Sequence, residues 1–297
     1  MDAERTYGSM QALVWEAPRN AVIREQLLPE IEPDEVLIEV DRAGICGSEL
    51  SGYLGHNALR VPPLVMGHEF SGTVAAMGES AEALNPTLSE GNAVTVNPMI
   101  YCGVCRFCKR GLNHLCVNRT LIGAHRPGAF AEYIAVPARQ VTVLPEAVPL
   151  SKGSLTEPVA CAVRIGGWAG EVAHQPVLIV GGGAIGLLTL QIMQRKSADP
   201  VFISELNPER RAVADSLGAT VLDPSVEEIT ETVRARAGSV AVAVDAVGLG
   251  ITRAQCVDSV ERAGTVILSG LHEEASSFPV ADAIRKEVTV QSGFCYT

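Results

Sequence analysis

Pro176-Val-Leu-Ile-Val-Gly-Gly-Gly-Ala-Ile-Gly186 is the stretch whose reading decides the fold. Val177 to Val180 is a short apolar run of strand type. It meets glycines at 181, 183 and 186, and an apolar helix-forming segment begins at Ile185. Strand, glycine turn and helix at the spacing G-x-G-x-x-G form a dinucleotide fingerprint. Gly181 allows the tight turn, Gly183 lets a pyrophosphate approach the backbone, and Gly186 lets helix and strand pack closely. Ala184 and Ile185 open the helix, whose free N–H groups and positive dipole end suit phosphate. A second apolar run, Val201-Phe-Ile-Ser204, ends on Glu205, nineteen residues after Gly186. That is where a carboxylate meets the ribose hydroxyls of NAD, and its charge disfavours the 2′-phosphate of NADP.

From Val177 on, strand and helix patterns alternate. Strands are expected at 177–180, 201–204, 220–222, 240–244, 265–269 and 288–291, and helices at 185–196, 208–217, 226–237 and 252–262. The series predicts an α/β domain with a doubly wound parallel sheet over 151–292. Before it, short alternating runs broken by Gly, Pro and Asn (35–40, 71–75, 93–96, 131–136) predict a mostly β, barrel-like domain over 1–150. Residues 1–9 show no periodicity and are expected to be a leader.

The chain has 297 residues, room for two domains and a sizeable core. Aromatics are only 4%, so that core must be built from Val, Ile, Leu and Ala. The net charge of −11 argues against nucleic acid or anionic membrane as partner. No charged-then-apolar leader opens the sequence, which points to a cytoplasmic protein. In that reducing setting eight cysteines suggest metal binding over disulfides.

Cys102, Cys105, Cys108 and Cys116 follow C-x2-C-x2-C-x7-C, the donor set of a closed tetrahedral zinc site. Basic neighbours such as Arg106, Lys109 and Arg110 raise a nucleic-acid zinc ribbon as a rival. A ribbon normally uses two spaced C-x-x-C pairs, and the acidity of the chain also disfavours it. Upstream, Cys46 in Gly44-Ile-Cys-Gly-Ser-Glu49 and the pair His68-Glu69 bring a thiolate, an imidazole and a carboxylate to loop–strand junctions. Together they suit an open zinc site with a position left for water or substrate. Taken singly, each would be an ordinary buried thiol or polar pair.

These clusters and the fingerprint resemble the zinc-containing medium-chain dehydrogenase/reductase family, in particular its sorbitol, threonine and butanediol dehydrogenase-like members. The matching stretches are Gly44-Ile-Cys-Gly-Ser48, Gly67-His-Glu-Phe-Ser-Gly72, the cysteine quartet, Gly128-Ala-Phe-Ala-Glu-Tyr133, Glu157-Pro158, Val180-Gly-Gly-Gly-Ala-Ile-Gly186 and Asp245-Ala-Val-Gly248. The resemblance implies a GroES-like catalytic domain, a Rossmann domain and an active site in the cleft between them. It implies Cys46 and His68 as catalytic zinc ligands, Glu69 as an acid that binds or exchanges onto the metal, and Glu157 as a ligand either directly or through water; Cys161, one helical turn after Glu157, is the reserve candidate. It implies Ser48 as the hydroxyl that meets the substrate alcohol and Glu49 as the acid that orients His68. Arg210 is implied near the adenosine ribose, and Val247, Leu271 and Phe294 beside the nicotinamide. By neighbourhood, Tyr53, Leu54 and Phe130 are expected near the substrate.

The expected activity is hydride transfer between a secondary alcohol (polyol, sugar alcohol or amino-alcohol) and NAD, with two zinc ions per chain. The rival is a nucleotide-binding scaffold that keeps the structural zinc without activity. The last strand, 287–291, resembles the family's subunit-pairing edge and implies a homodimer or homotetramer. The sequence departs from the family at Ser51, where many members carry an outer proton-accepting His; His56 is the nearby substitute. The resemblance further implies that members continue past 293–297 to complete the catalytic domain, so this chain reads as a shortened member.

Overall fold

The structure, a computed structural model, describes residues 8–296. The expected leader lies mostly outside them. Ser9, assigned to that leader, already pairs with Leu27 in the first strand.

The chain divides into two compact units, one through Glu157 and one from Pro158 to Tyr296. The first contains β1 (Ser9–Ala17), β2 (Asn20–Leu27), β3 (Glu35–Gly44), α1 (Gly47–Tyr53), β4 (Leu64–Val65), β5 (Glu69–Met77), α2 (Ala81–Leu84), β6 (Ala93–Val96), β7 (Met99–Ile100), β8 (Thr120–Leu121), β9 (Tyr133–Pro137), β10 (Val141–Val143) and α3 (Leu150–Gly153). Its main sheet has the order β10-β6-β5-β3-β9, with antiparallel pairing. Alternation sends Val36, Ile38, Val74, Val94 and Val136 into one core with Phe70 and Ile122. The expected strands are present, and β3 runs on to Gly44, which delivers the chain directly to Cys46.

Helix α4 (Thr156–Trp168) crosses the division. After it come β11 (Val177–Val180), α5 (Ala184–Arg195), β12 (Val201–Ser204), α6 (Pro208–Ser216), β13 (Thr220–Leu222), α7 (Ile229–Ala237), β14 (Val240–Asp245), α8 (Gly250–Ser259), β15 (Val260–Leu268), α9 (Val280–Lys286) and β16 (Thr289–Ser292). Among the described residues the sheet order is β13-β12-β11-β14-β15-β16, all parallel. This is the doubly wound order 3-2-1-4-5-6, with the reversal beside β11. Every residue of β11 is buried, as a parallel strand covered on both faces requires. Val177 and Ile179 pack with Leu190 and Met193, while Leu178 and Val180 pack with Ile229, Val233 and Val257.

Residues 260–262, expected to prolong a helix, instead open β15, where Val260 pairs with Val240 across a register shift. Ala263 then takes φ 60°, which no helix accommodates. Helix α9 was not expected from the sequence. Its Lys286 Nζ donates to the carbonyls of Val257, Asp258 and Val260 at 2.8–2.9 Å, and so caps the end of α8. Glu287, expected in the last strand, turns left-handed at φ 52° and ends α9 instead.

The glycine turn is held by close backbone approach. Gly181 has φ 103°, and a Cβ at Gly186 would run into the Gly181 carbonyl oxygen. No flexible side chain is there to yield. Gly186→Ala is therefore expected to lower stability by at least about 3 kcal/mol, read as a shift in the urea midpoint. An unchanged midpoint would show that the turn has room the geometry denies.

Candidate active site

Cys46 stands at the junction of β3 and α1, as the N-cap of that helix. The Glu49 carboxylate reaches back and accepts the Cys46 N–H at 2.7 Å. It also accepts the Gly67 N–H at 3.2 Å and lies 2.6 Å from His68 Nδ1. A carboxylate only accepts, so Nδ1 carries the proton toward Glu49 and Nε2 is the ring nitrogen that could ligate a metal. Glu69 opens β5 opposite Gly44 in the strand register. A Cβ at Gly44 would run into the Glu69 carboxylate, so the glycine makes room for it.

One donor atom each from Cys46, His68 and Glu69 lies within 4.8 Å of the others. The thiol is half-buried, and His68 and Glu69 are 6% and 8% exposed. Burial pushes the Glu69 carboxyl up, and the nearby charge of Glu157 adds to the shift. For His68 burial opposes the charge, but hydrogen bonds to Cys46 and Glu49 outweigh it and hold the imidazole up at about 10. Thiolate, imidazole and carboxylate donors at this separation suit zinc. Glu157, in the first turn of α4, is close to Glu69 but stands outside the trio. Cys161 follows it by four residues in the same helix.

Ser48 lies two residues beyond Cys46, and its Oγ accepts from Arg60 Nη2 at 3.2 Å. Ser51 is half-buried in α1, and the His56 side chain is exposed. The Tyr53 hydroxyl donates to the Arg19 carbonyl at 2.9 Å, and its ring packs with Phe130 on Trp15, Leu64 and Met66. Leu54 caps the C-terminal end of α1.

The cysteine quartet forms a second donor set, again with all four sulfurs within 4.8 Å. Cys105 and Cys108 Sγ are 3.5 Å apart, as are Cys102 and Cys116 Sγ. The backbone N–H of Cys108 draws the Cys105 thiol down to about 6, and those of Val104 and Cys105 lower Cys102. Burial and the neighbouring sulfurs push Cys108 up to about 12. Four thiols so close cannot all ionise without a cation among them, and a tetrahedral dication meets that need. The lobe offers little apolar support of its own, since Val104 and Val117 are 70% and 67% exposed.

In the second unit, Gly183 forms the N-cap of α5, and a Cβ there would meet nothing within 4 Å. That open cradle suits a phosphate at a helix start. Glu205 Oε2 accepts the Gly182 N–H at 2.7 Å and Oε1 accepts the Asn207 N–H at 2.7 Å, so the acid borders the turn. Val247 lies against Gly181. Leu271 is 81% exposed on the loop after β15, and Phe294 is 39% exposed. The Arg210 side chain is exposed.

Two family models match the chain, one described as the alcohol dehydrogenase GroES-like domain over residues 32–146 and one as zinc-binding dehydrogenase over 184–297. An L-threonine 3-dehydrogenase of Caldanaerobacter subterraneus is 31% identical over 96% of this chain and 83% of the relative. The chain belongs to the zinc-containing medium-chain dehydrogenases. Among solved structures, a proposed zinc-binding dehydrogenase of Sinorhizobium meliloti bound to NADP superposes with TM-score 0.90 at 32% identity, over 97% of this chain and 85% of that one. An alcohol dehydrogenase of Escherichia coli CFT073 complexed with NADH gives 0.89 at 30% identity, over 97% and 84%.

Two residues of this medium-chain dehydrogenase, Arg60 and Arg211, escaped the sequence reading, and a third, Asp245, entered it only as part of a matched stretch. Arg60, 3% exposed, reaches Ser48 from a loop that carries no motif. Arg211, next to the expected Arg210, donates to the Glu205 and Leu206 carbonyls and pairs with Asp223 at 2.6 Å. Asp245 is fully buried and accepts the Val247 and Gly248 N–H groups at 3.0 and 2.9 Å, shaping the turn that carries Val247. An acid closing an apolar strand before Ala-Val-Gly was the one available signal. No described helix is long and apolar enough to cross a membrane.

Proposed function

We propose that this zinc-type alcohol oxidoreductase passes hydride between a secondary alcohol (polyol, sugar alcohol or amino-alcohol) and NAD. The observation that carries the reading is the convergence of Cys46, His68 and Glu69 donor atoms within 4.8 Å, with the Ser48 hydroxyl two residues beyond Cys46. When bound, zinc polarises the alcohol oxygen and the nicotinamide accepts the hydride. The chain's own residues prepare that chemistry. Glu49 fixes the His68 tautomer and ring plane, and its other contacts tie Cys46 and Gly67 to the same carboxylate. Ser48 accepts the alcohol proton on a lone pair and passes its own hydroxyl proton onward to water. Glu69 and Glu157 stand as alternative carboxylate ligands, and their mutual repulsion favours one charge at a time. Glu157 in place of a third sulfur or nitrogen, together with the threonine dehydrogenase likeness, supports a polyol or amino-alcohol substrate.

NAD is favoured over NADP by the carboxylate of Glu205 beside the glycine turn. The relative bound to NADP makes this the finer point to test. NADH is expected to bind at least about tenfold tighter than NADPH, and Glu205→Gln to narrow the gap. Tighter binding of NADPH by the unaltered protein would reverse the assignment. The exposed edge strand β16 supports a homodimer or homotetramer, which sedimentation at micromolar concentration would report.

The reading is tested by elemental analysis of protein purified without chelators, followed by an alcohol screen with NAD. Two zinc per chain and turnover of a secondary alcohol are expected. One zinc, kept when Cys46 is replaced, would leave only the cysteine clamp and return the protein to an inactive scaffold.

A further inference from the structure

Arg60 is a buried cation whose side chain runs beside the proposed catalytic hydroxyl. The residue is 3% exposed, and its Nη2 donates to Ser48 Oγ at 3.2 Å. The passage it takes is built into α1. Gly52 lies in the last turn of α1, and a Cβ there would stand 2.7 Å from Arg60 Cδ. The loop that brings it is held too. The Arg60 N–H donates to the Asn57 carbonyl at 3.2 Å, Asn57 Oδ1 accepts the Leu59 N–H at 3.1 Å, and Asn57 Nδ2 reaches the Ser48 carbonyl at 3.4 Å. Burial lowers the Arg60 pKa, and the charges of Glu49 and Cys46 pull it back up.

The buried Nε of Arg60 has no hydrogen-bond partner among the described residues. An unpaired buried donor destabilises a fold, and an apolar side chain would fill the same space without that loss. As a mere filler Arg60 is therefore a poor choice. Its contact with Ser48 has a definite consequence. A guanidinium has five donors and no lone pair, whereas a serine hydroxyl has one proton and two lone pairs. With one lone pair held by Arg60, the hydroxyl cannot turn its proton toward Arg60. Its proton and its second lone pair must face elsewhere.

We propose that Arg60 is a positioning residue that holds the Ser48 hydroxyl with its free lone pair turned to the substrate alcohol and its own proton turned outward, to pass to solvent water as the alcohol proton arrives. The proposal rests on the reading of Ser48 given above. It deepens that reading by naming what keeps the hydroxyl in register where the family's outer histidine is replaced by Ser51. Because the guanidinium cannot accept a proton, Arg60 orients Ser48 without serving as the next station for the proton.

The test is a double-mutant cycle with zinc content and melting temperature measured on each protein. Arg60→Met is expected to lower kcat roughly ten- to hundredfold with KM little changed, and Arg60→Lys to recover a large part of the loss. In a Ser48→Ala background Arg60→Met should have almost no further effect, and zinc per chain should stay at the unaltered value throughout. A full additional loss in that background would overturn the proposal, because Arg60 would then act on another group, such as Glu49 or an acidic substrate. Loss of zinc in Arg60→Lys would overturn it as well, by making Arg60 a support of the metal pocket. Should Arg60→Met fail to fold, Arg60→Lys and Arg60→Gln run the same cycle. Proton NMR supplies a readout independent of turnover. The Arg60 Nη–H signal should be protected from exchange in the unaltered protein and released in Ser48→Ala, and an unchanged signal overturns the proposal. Absence of any alcohol turnover by the unaltered protein would instead count against the functional reading itself.

Discussion

Cys46→Ser is expected to reduce alcohol turnover by at least about three orders of magnitude and to remove one zinc per chain. A serine hydroxyl is not ionised at neutral pH and is a poor ligand for a soft dication, so His68 and Glu69 would be left as two donors where three are needed. The fold should survive. Cys46 holds its place through its backbone N–H, which donates to Glu49 at 2.7 Å, and that bond does not depend on the sulfur. Nicotinamide binding should persist, because the glycine turn and Glu205 lie within the second unit, built on its own sheet. Cofactor titration and zinc analysis on the same preparation separate these outcomes. Full turnover by Cys46→Ser would defeat the assignment of the open site.

The second large effect is expected at the cysteine quartet. Cys105→Ser should release the other zinc and lower stability by roughly 3–5 kcal/mol, about 10 °C in melting temperature for a domain of this size. The sulfurs of Cys105 and Cys108 lie 3.5 Å apart within a loop flanked by the short β7–β8 ladder. With exposed valines at 104 and 117, the lobe has almost no apolar interior to fall back on. A chelator should produce the same loss in the unaltered protein. An unchanged melting temperature and zinc content in Cys105→Ser would remove the quartet's structural role.

The two variants report on sites that differ in how far apart their ligands lie along the chain, and this difference also governs what could be read from the sequence. The quartet spans fifteen residues and the glycine fingerprint only six. Over such distances the chain's own geometry brings the groups together, so spacing alone is informative. The inner strands β11, β12 and β14 were legible for a similar reason, since a strand buried on both faces must be a continuous apolar run. The error at 260–262 arose where a helix passes into a strand without a glycine or proline to mark the change. Helix α9 was missed because it is short and is held by Lys286 on distant carbonyls, a tertiary contact.

Residue types and spacings by themselves determined the two-domain α/β class, the family, the cysteine quartet and the glycine turn, because each depends on neighbours close in sequence. Only the tertiary structure decided that Gly44 makes room for Glu69 across the β3–β5 register, with Cys46 and His68 beside it and Glu157 outside the trio. It alone decided that Glu49 serves Cys46, Gly67 and His68 together, and that Arg60 passes over Gly52 to Ser48. The physical reason is that strand register and side-chain packing set these contacts, and both are properties of the folded sheet and not of any local stretch of chain.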